Sequence, residues 1–487
     1  TRPIQIMLPP VTDSIQGNIG LTPMVKLTPQ NKVNILAKLE YTNPTGSAKD
    51  RLAKYLLDEH EKKNPFESRE AATTKKTLII PTSGNLGISL ATLAAKRQYR
   101  IIAILPERTS NDRISLLKAL GVEILRSPNE VRPEAPESAH SVAARLAEQL
   151  PNAIVMDETK LRDLTAYHAL AEEILQQTKL SVDYVFVGVE SGAMLTGIAQ
   201  YLKNKIPGVK VIGVEPTDSV LGDTDSAKNV RGPDWKIEDL GSNVIPDSLD
   251  RNLVDEWIKI SDKEAYSMAR RLIRDEGILC GPSSGALVAA AAHHAHAITN
   301  HSTHTPQSVV ILNDSCKNYT STLLSDDWLF ENDLADDLIT SELQYVSQNR
   351  YRAASVEDLQ LPAAVTIAPT ASVSHAMDLM LEREYSQLPV IKNRKLVGYV
   401  SLSALQDRLE SGSVQLSDTV GDAMYSFKKG VVANKYEIIT PDTSLADLAK
   451  FFEKNSFAVI TDANRKWCLG VATKYDLISF LHRRQFL

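Results

Sequence analysis

Cysteine is scarce: the 487 residues contain three, Cys280, Cys316 and Cys468, with no CxxC pair. So sparse and widely spaced a set excludes a disulfide framework and fits a reducing, cytoplasmic setting. No cysteine precedes Cys280 and no histidine precedes His60, so the N-terminal segment lacks the usual ligands for haem or zinc. Neither haem nor a metal ion is expected. No run of about 18 apolar residues occurs, which excludes a membrane-spanning helix, and Thr1–Pro10 has no signal-peptide apolar core. A net charge of -6, with 23% charged residues, is too mild to point to nucleic acid or an anionic membrane surface. What remains is a globular chain long enough for two or three domains.

From residue 33 to about 325, short apolar runs alternate with helical patterns. Ile35–Leu39, Thr77–Ile80, Arg100–Leu105, Tyr184–Gly188, Val209–Val214 and Val309–Leu312 read as buried strands. The alternation predicts βα units and a mostly parallel, doubly wound α/β sheet covered on both faces. Ligands bind such sheets beyond the strand C-terminal ends, so the loops that follow the strands carry the candidates.

The first loop, Glu40–Arg51, joins a strand to a helix. Pro44 and Gly46 shape it, and Lys49 can present its amine to a ligand there; taken alone, a solvated lysine is the simpler reading. After Leu78–Ile80 come Thr82, Ser83, Gly84 and Asn85 at a helix start, groups suited to a carboxylate or phosphate, although a capped turn has the same composition. Gly188–Gly197 is a weaker phosphate cradle, because Glu190 is unwelcome there. In Glu276–Gly285, Ser283 or Ser284 either caps the helix Ala286–Ala297 or donates to a ligand. That helix ends in His293, His294, His296, His301 and His304. His293 and His296 share a face, but nothing nearby completes a metal set, so a solvated helix end is expected.

Leu343–Pro362 is polar and irregular and reads as a linker. Beyond it lies an internal repeat. Thr366–Val373, a helix, Leu388–Ile391 and Lys395–Leu405 recur as Ile438–Leu445, a helix, Phe457–Ile460 and Cys468–Leu477. Each copy reads β-α-β-β-α, and the pair should pack on itself.

Ser47-Ala48-Lys49-Asp50-Arg51, Thr82-Ser83-Gly84-Asn85, Gly213-Val214-Glu215-Pro216, Glu276–Gly285 and the repeat together resemble the cystathionine β-synthase family. Its members are fold-type II, tryptophan synthase β-like pyridoxal-phosphate enzymes, here with a C-terminal pair of CBS motifs, or Bateman module. The resemblance runs over essentially the whole chain from Ile15. It implies a catalytic domain over 1–342, a linker over 343–362, and a module over 363–487 with copies at about 363–412 and 418–487.

By that resemblance Lys49 is the Schiff-base lysine of pyridoxal phosphate and both base and acid for the substrate Cα. Asn85 would bond the cofactor's ring oxygen. Ser283 would face the pyridine nitrogen, where a neutral hydroxyl favours elimination over transamination. Thr82, Ser83 and Gly84 would grip the substrate carboxylate, and Tyr167 would stand near the substrate entrance or simply pack as an aromatic. The family's phosphate loop, Gly-Thr-Gly-Gly-Thr, is replaced by Glu190, Ser191, Gly192, Ala193 and Met194. A carboxylate about 5 Å from a phosphate dianion costs on the order of 6 kcal/mol at an effective dielectric of about 20. Glu190 is therefore expected to turn outward, leaving backbone amides and Ser191 to hold the phosphate. The family's aromatic near the second substrate stands as Ser242, after Gly241.

In the second CBS copy, Thr473 and Asp476 fit a T-x-x-D nucleotide motif, with Tyr385 and Gln387 as further candidates. The first copy has Ala404 at the carboxylate position, so at most one adenosyl site is expected, with S-adenosylmethionine as the implied effector and a purely structural pair as the other reading. The implied activity joins L-serine, or O-acetylserine, to L-homocysteine to give cystathionine, with hydrogen sulfide release from cysteine as a side reaction. A homodimer acting on small amino acids is implied. The alternatives are a cysteine synthase or serine sulfhydrylase using O-acetylserine and sulfide, and a non-catalytic adenosyl-nucleotide sensor, against which Lys49, Asn85 and Ser283 together argue.

Overall fold

The computed structural model describes residues 10–29, 33–63, 76–81, 84–97, 99–107, 109–128, 134–223, 235–298, 305–336, 338, 354–427, 439–464 and 467–485. The chain divides into two compact units at Leu329/Phe330.

The first unit runs β1 (Met24–Lys26), β2 (Asn34–Leu39), α1 (Lys49–Lys63), β3 (Thr77–Pro81), α2 (Asn85–Ala94), β4 (Arg100–Pro106), α3 (Asn111–Ala119) and β5 (Glu123–Ser127). It continues with α4 (Ala139–Gln149), β6 (Ala153–Val155), α5 (His168–Gln177), β7 (Tyr184–Gly188), α6 (Ala193–Lys205) and β8 (Lys210–Pro216). β9 (Glu256–Ile260), α7 (Asp262–Glu276), α8 (Pro282–Ala297) and β10 (Gln307–Leu312) follow.

The strands form two sheets rather than one. The larger has the order β1-β2-β10-β7-β8-β9 and is parallel except for β1 against β2. The smaller, β5-β4-β3-β6, is parallel throughout. Helices cover these sheets, which is why β3 is buried along its whole length and reads as an unbroken apolar run. Register aligns the strand ends: Leu39 pairs with Leu312, and Pro81 with Ile104. The loops after β2 and β10 therefore start side by side, as do those after β3 and β4.

The α7–α8 contact is close enough to require glycine. A Cβ on Gly285 would lie 2.0 Å from the Ala265 carbonyl oxygen, closer than any side chain tolerates.

In the second unit each copy has the expected pattern, its first strand reduced to one bridge: Ile367 to Val390, and Ile439 to Ile460. Helices Val373–Arg383 and Leu402–Glu410 flank the hairpin of Gln387–Lys392 and Lys395–Ser401. In the second copy, Leu445–Phe451 and Lys474–Gln485 flank Phe457–Thr461 and Cys468–Thr473. Each copy has its own core, one around Val373, Met380, Val390 and Val420 and the other around Leu445, Leu448, Ala458 and Leu477. The expected linker loses its last residues to the second core, where Val356 and Leu359 are buried beside Ile439. Residues 343–353 lie outside the described part.

Candidate active site

The loop that carries Lys49 is pinned from both sides by its own sequence neighbours. Asp50 accepts from the Thr45 amide at 2.9 Å and from the Thr45 hydroxyl, closing the loop onto the start of α1, where a carboxylate also suits the helix dipole. Arg51 forks onto Glu40 at 2.8 and 2.9 Å and onto Glu173 at 2.8 and 2.9 Å. Lys49, just before them, is left to point elsewhere. It is 7% exposed, and its Nζ donates to Glu158 Oε2 at 2.5 Å.

Burial alone would drive the proton off Lys49. Glu158 first, then Tyr167 and Glu190, more than reverse this, and the amine is held protonated well above the usual lysine range.

The turn after β10 ties the remaining loops to this one. Asn313 O accepts from Ala48 N at 2.9 Å, Ser315 N donates to Gly46 O at 3.1 Å, and Asp314 O accepts from Gly281 N at 3.0 Å. The Lys49 loop and the start of α8, where Ser283 lies, are thereby fixed to one backbone segment. The Asp314 side chain reaches the smaller sheet: its Oδ2 accepts from Asn85 Nδ2 at 3.0 Å, from Arg113 Nη2 at 3.1 Å and from Tyr319 Oη at 2.6 Å. Burial, then the Asp239 charge, push the Asp314 carboxyl up to about 7, with Arg113 opposing.

Arg113, fully buried in α3, also holds Asp239 through both terminal nitrogens and Glu238 at 3.2 Å, and stacks 5.1 Å over the Tyr319 ring. Gly84 makes room for it. With φ at +133°, a Cβ there would meet Arg113 Cδ at 2.8 Å, so both backbone and space demand glycine.

The phosphate-side loop rests on its neighbour through Gly241 N to Val189 O at 2.7 Å and on Ser248, whose hydroxyl donates to Ser191 O at 2.5 Å. Gly192, at φ +78°, turns the chain into α6. Glu190 is half-buried and its charge acts on Lys49. Its charge therefore reaches the site as well as opposing a phosphate.

Of the other expected site residues, Tyr167 is 1% exposed, packs where Gly197 lets α6 approach and acts on Lys49. The Ser242 hydroxyl donates to Val244 O at 2.7 Å and its amide to Ser219 Oγ, so its polar groups serve a local turn. Thr82 and Ser83 lie outside the described residues. His293 and His294 face Glu264 and Glu256 at 3.3 and 3.4 Å, and among the described residues no cluster of His, Cys, Asp or Glu is arranged to hold a metal ion. His301 and His304 are not described. Among the described residues no helix is long and apolar enough to cross a membrane.

In the second unit, Asp476 Oδ2 accepts from the Thr473 amide at 2.8 Å and hydroxyl at 3.0 Å, which caps the helix that follows. Tyr399 of the first copy packs edge-on against Phe457 of the second, whose cross-strand partner is Thr473. Tyr385 is exposed and Gln387 half-buried; among the described residues no hydrogen bond joins either to Thr473 or Asp476.

A family model described as pyridoxal-phosphate dependent enzyme matches residues 15–313, and the CBS domain model matches 356–411 and 420–483. The chain belongs to the pyridoxal-phosphate-dependent enzyme family. The cystathionine beta-synthase of Dictyostelium discoideum is 37% identical over 486 residues, 98% of this chain and 93% of that protein. The cysteine synthase of Helicobacter pylori is 36% identical over 288 residues, 58% of this chain and 90% of that protein. The crystal structure of O-acetylserine dependent cystathionine beta-synthase from Helicobacter pylori is similar with a TM-score of 0.57 at 34% identity, covering 64% of this chain and 98% of that one.

The residues present fit pyridoxal phosphate at two ends. Lys49 is a buried amine on the strand-end loop, and Ser283, 2% exposed, has an Oγ without a hydrogen-bond partner among the described residues. At the third end, α6 offers its N-terminal amides behind Gly192, with Ser191 buried beside them; Glu190 is the one unfavourable group. Asn85 is already fully engaged, since its Nδ2 serves Asp239 and Asp314 and its Oδ1 accepts from Asn318.

Four residues central to this geometry escaped the sequence reading: Glu158, Arg113, Asp239 and Asp314. Asp314 lies two residues after β10, so the strand-end rule that found Lys49 would have found it, whereas Glu158 lies three after β6, a short, partly exposed strand with no apolar run to mark it.

Proposed function

We propose that this family member catalyses β-replacement on an amino acid, joining serine or O-acetylserine to homocysteine to form cystathionine. The observation that carries the reading is the single turn at 313–315, which fixes the Lys49 loop and the Ser283 helix start and, through Asp314, bonds Asn85. Lys49, Ser283 and the α6 N-terminus would hold pyridoxal phosphate, which supplies the electron sink, and Asn85 would reach its ring oxygen by releasing Asp239 or Asp314. The Lys49 amine takes the substrate Cα proton and later returns it, one group serving both transfers because they occur at different times. Ser283 offers a neutral hydroxyl to the ring nitrogen, and Thr82, Ser83 and Gly84 the carboxylate grip. All three cysteines are free thiols, in keeping with a reducing, cytoplasmic compartment. A homodimer and a catalytic region reaching to residue 342 complete the reading.

Product analysis with serine or O-acetylserine against homocysteine or sulfide tests it, and cystathionine is the expected product. A second reading, cysteine synthesis from O-acetylserine and sulfide, is favoured by Ser242: its hydroxyl is committed to a turn and gives a longer thiol no wall to lean on. Cysteine formed from sulfide with no cystathionine from homocysteine would replace the first reading by the second.

For the CBS pair we propose one adenosyl site in the second copy, at Thr473 and Asp476. A nucleotide there competes with the Asp476 helix cap. Calorimetry with S-adenosylmethionine is expected to show heat with the full chain and none with Asp476→Ala; a flat titration of the unaltered chain removes the proposal.

A further inference from the structure

The carboxylate that meets Lys49 is as firmly placed as Lys49 itself. Glu158 opens a short turn after β6 whose preceding residue, Asp157, accepts from the Thr159 amide at 2.9 Å and hydroxyl at 2.6 Å and pairs with His140 Nδ1 at 2.8 Å. The strand leading into it is tied to β3 through Met156 N to Ile79 O at 2.8 Å. Glu158 and Lys49 side chains are 7% and 9% exposed, so water offers the ammonium little competition. The charged and titratable groups that act on Lys49 are Glu158 after β6, Tyr167 before α5 and Glu190 after β7. On its own element, Asp50 and Arg51 are turned away, toward Thr45 and toward Glu40 and Glu173. None of these partners among the described residues is a cation that would relieve the hold.

We propose that Glu158 is a latch on the cofactor lysine: it holds the Lys49 amine as an ammonium, and the cofactor attaches only when that pair gives up a proton. The inference rests on the reading of Lys49 as the residue that bonds pyridoxal phosphate. The attachment balances as follows. The ammonium releases one proton, and the nitrogen lone pair bonds the aldehyde carbon. The C=O bond breaks as the C=N bond forms, and the oxygen leaves as water with the two remaining amine protons. The first proton passes to solvent or back onto the new nitrogen. Glu158 is thus a positioning residue that sets when Lys49 can react. Glu190 adds to the hold and also opposes the phosphate.

Loading of the cofactor-stripped full-length protein with pyridoxal phosphate, followed by its absorption near roughly 400 nm, tests this from about pH 6 to about pH 10. The unaltered chain is expected to load faster as pH rises. Glu158→Gln keeps the shape and removes the charge; it is expected to load at least about tenfold faster at neutral pH, with its profile moved to lower pH by about one unit or more. Glu158→Asp, which keeps the charge, should restore the slow, alkaline profile, and Glu190→Gln should move it in the same direction as Glu158→Gln. A Glu158→Gln protein that melts lower but loads with the unaltered rate and profile has lost only a structural ion pair, and the latch is overturned. If neither protein gains the absorption at any pH, Lys49 is not the cofactor lysine, and the proposed function falls together with the latch.

Discussion

Replacing Lys49 with alanine is expected to remove cystathionine formation, by at least about a thousandfold and to background in practice. The residue has two tasks, bonding the cofactor and moving the substrate Cα proton, and proton transfer by a placed side chain alone is worth roughly 10²–10⁴-fold. Among the described residues, the buried cations Lys38 and Arg113 are already committed, Lys38 to Glu173, Gln177 and the Thr22 carbonyl and Arg113 to its carboxylates. The substitution also strands Glu158, whose buried carboxylate loses its cation while Glu190 stays nearby. Product formation at the unaltered rate would refute the assignment of Lys49. Lys49→Arg separates the two tasks: it restores a positive charge for Glu158 but no amine that can give up its proton, so stability should recover while activity does not.

The second large effect is on stability. Arg113→Met is expected to destabilise the full chain by about 3–5 kcal/mol, the range found when one partner of a buried ion pair is removed. The guanidinium is fully buried and is the cation shared by Glu238, Asp239 and Asp314. Without it three carboxyl groups face one another in the interior, and Asp314, already pushed up to about 7 by burial and Asp239, keeps only Asn85 and Tyr319. Arg113→Lys should rescue little, because one ammonium cannot fork onto Asp239 while also reaching Asp314 and Tyr319. The measurement is the denaturant midpoint of the first unit followed in the full chain. An unchanged midpoint for Arg113→Met would show that the cluster contributes nothing to stability.

How far the sequence revealed this molecule depends on where each residue sits. Six strands of the first unit were legible because both their faces are covered, which leaves an apolar run with no wet position. The strands that escaped, β1, β5, β6 and β9, are the four edges of the two sheets. An edge is partly solvated and here short or charged, as in Glu123–Ser127, where Glu123, Arg126 and the exposed Leu125 break any apolar signal. Lys49, Asn85 and Ser283 stood out in the sequence because each opens a helix behind a loop of recognisable composition. Glu158 was hidden behind the unread strand β6. Arg113 and Asp239 matter through partners more than a hundred residues away in sequence, and no local pattern encodes such a pairing. The influence of Glu190 on Lys49 was missed for a related reason: its surroundings were argued from a phosphate, whereas its charge also acts on Lys49.

The division into two sheets has a mechanical side. Lys49, Glu238, Asp239 and Asp314 are carried by the β1-β2-β10-β7-β8-β9 layer, and Glu158, Asn85 and Arg113 by the β5-β4-β3-β6 layer. Each of the bonds Lys49–Glu158, Asn85–Asp314, Asn85–Asp239, Arg113–Asp239 and Arg113–Asp314 therefore crosses from one layer to the other. They act as struts across a joint. A ligand that takes Lys49 from Glu158 removes one strut and leaves the Arg113 struts in place, so the joint stays closed where Arg113 holds it.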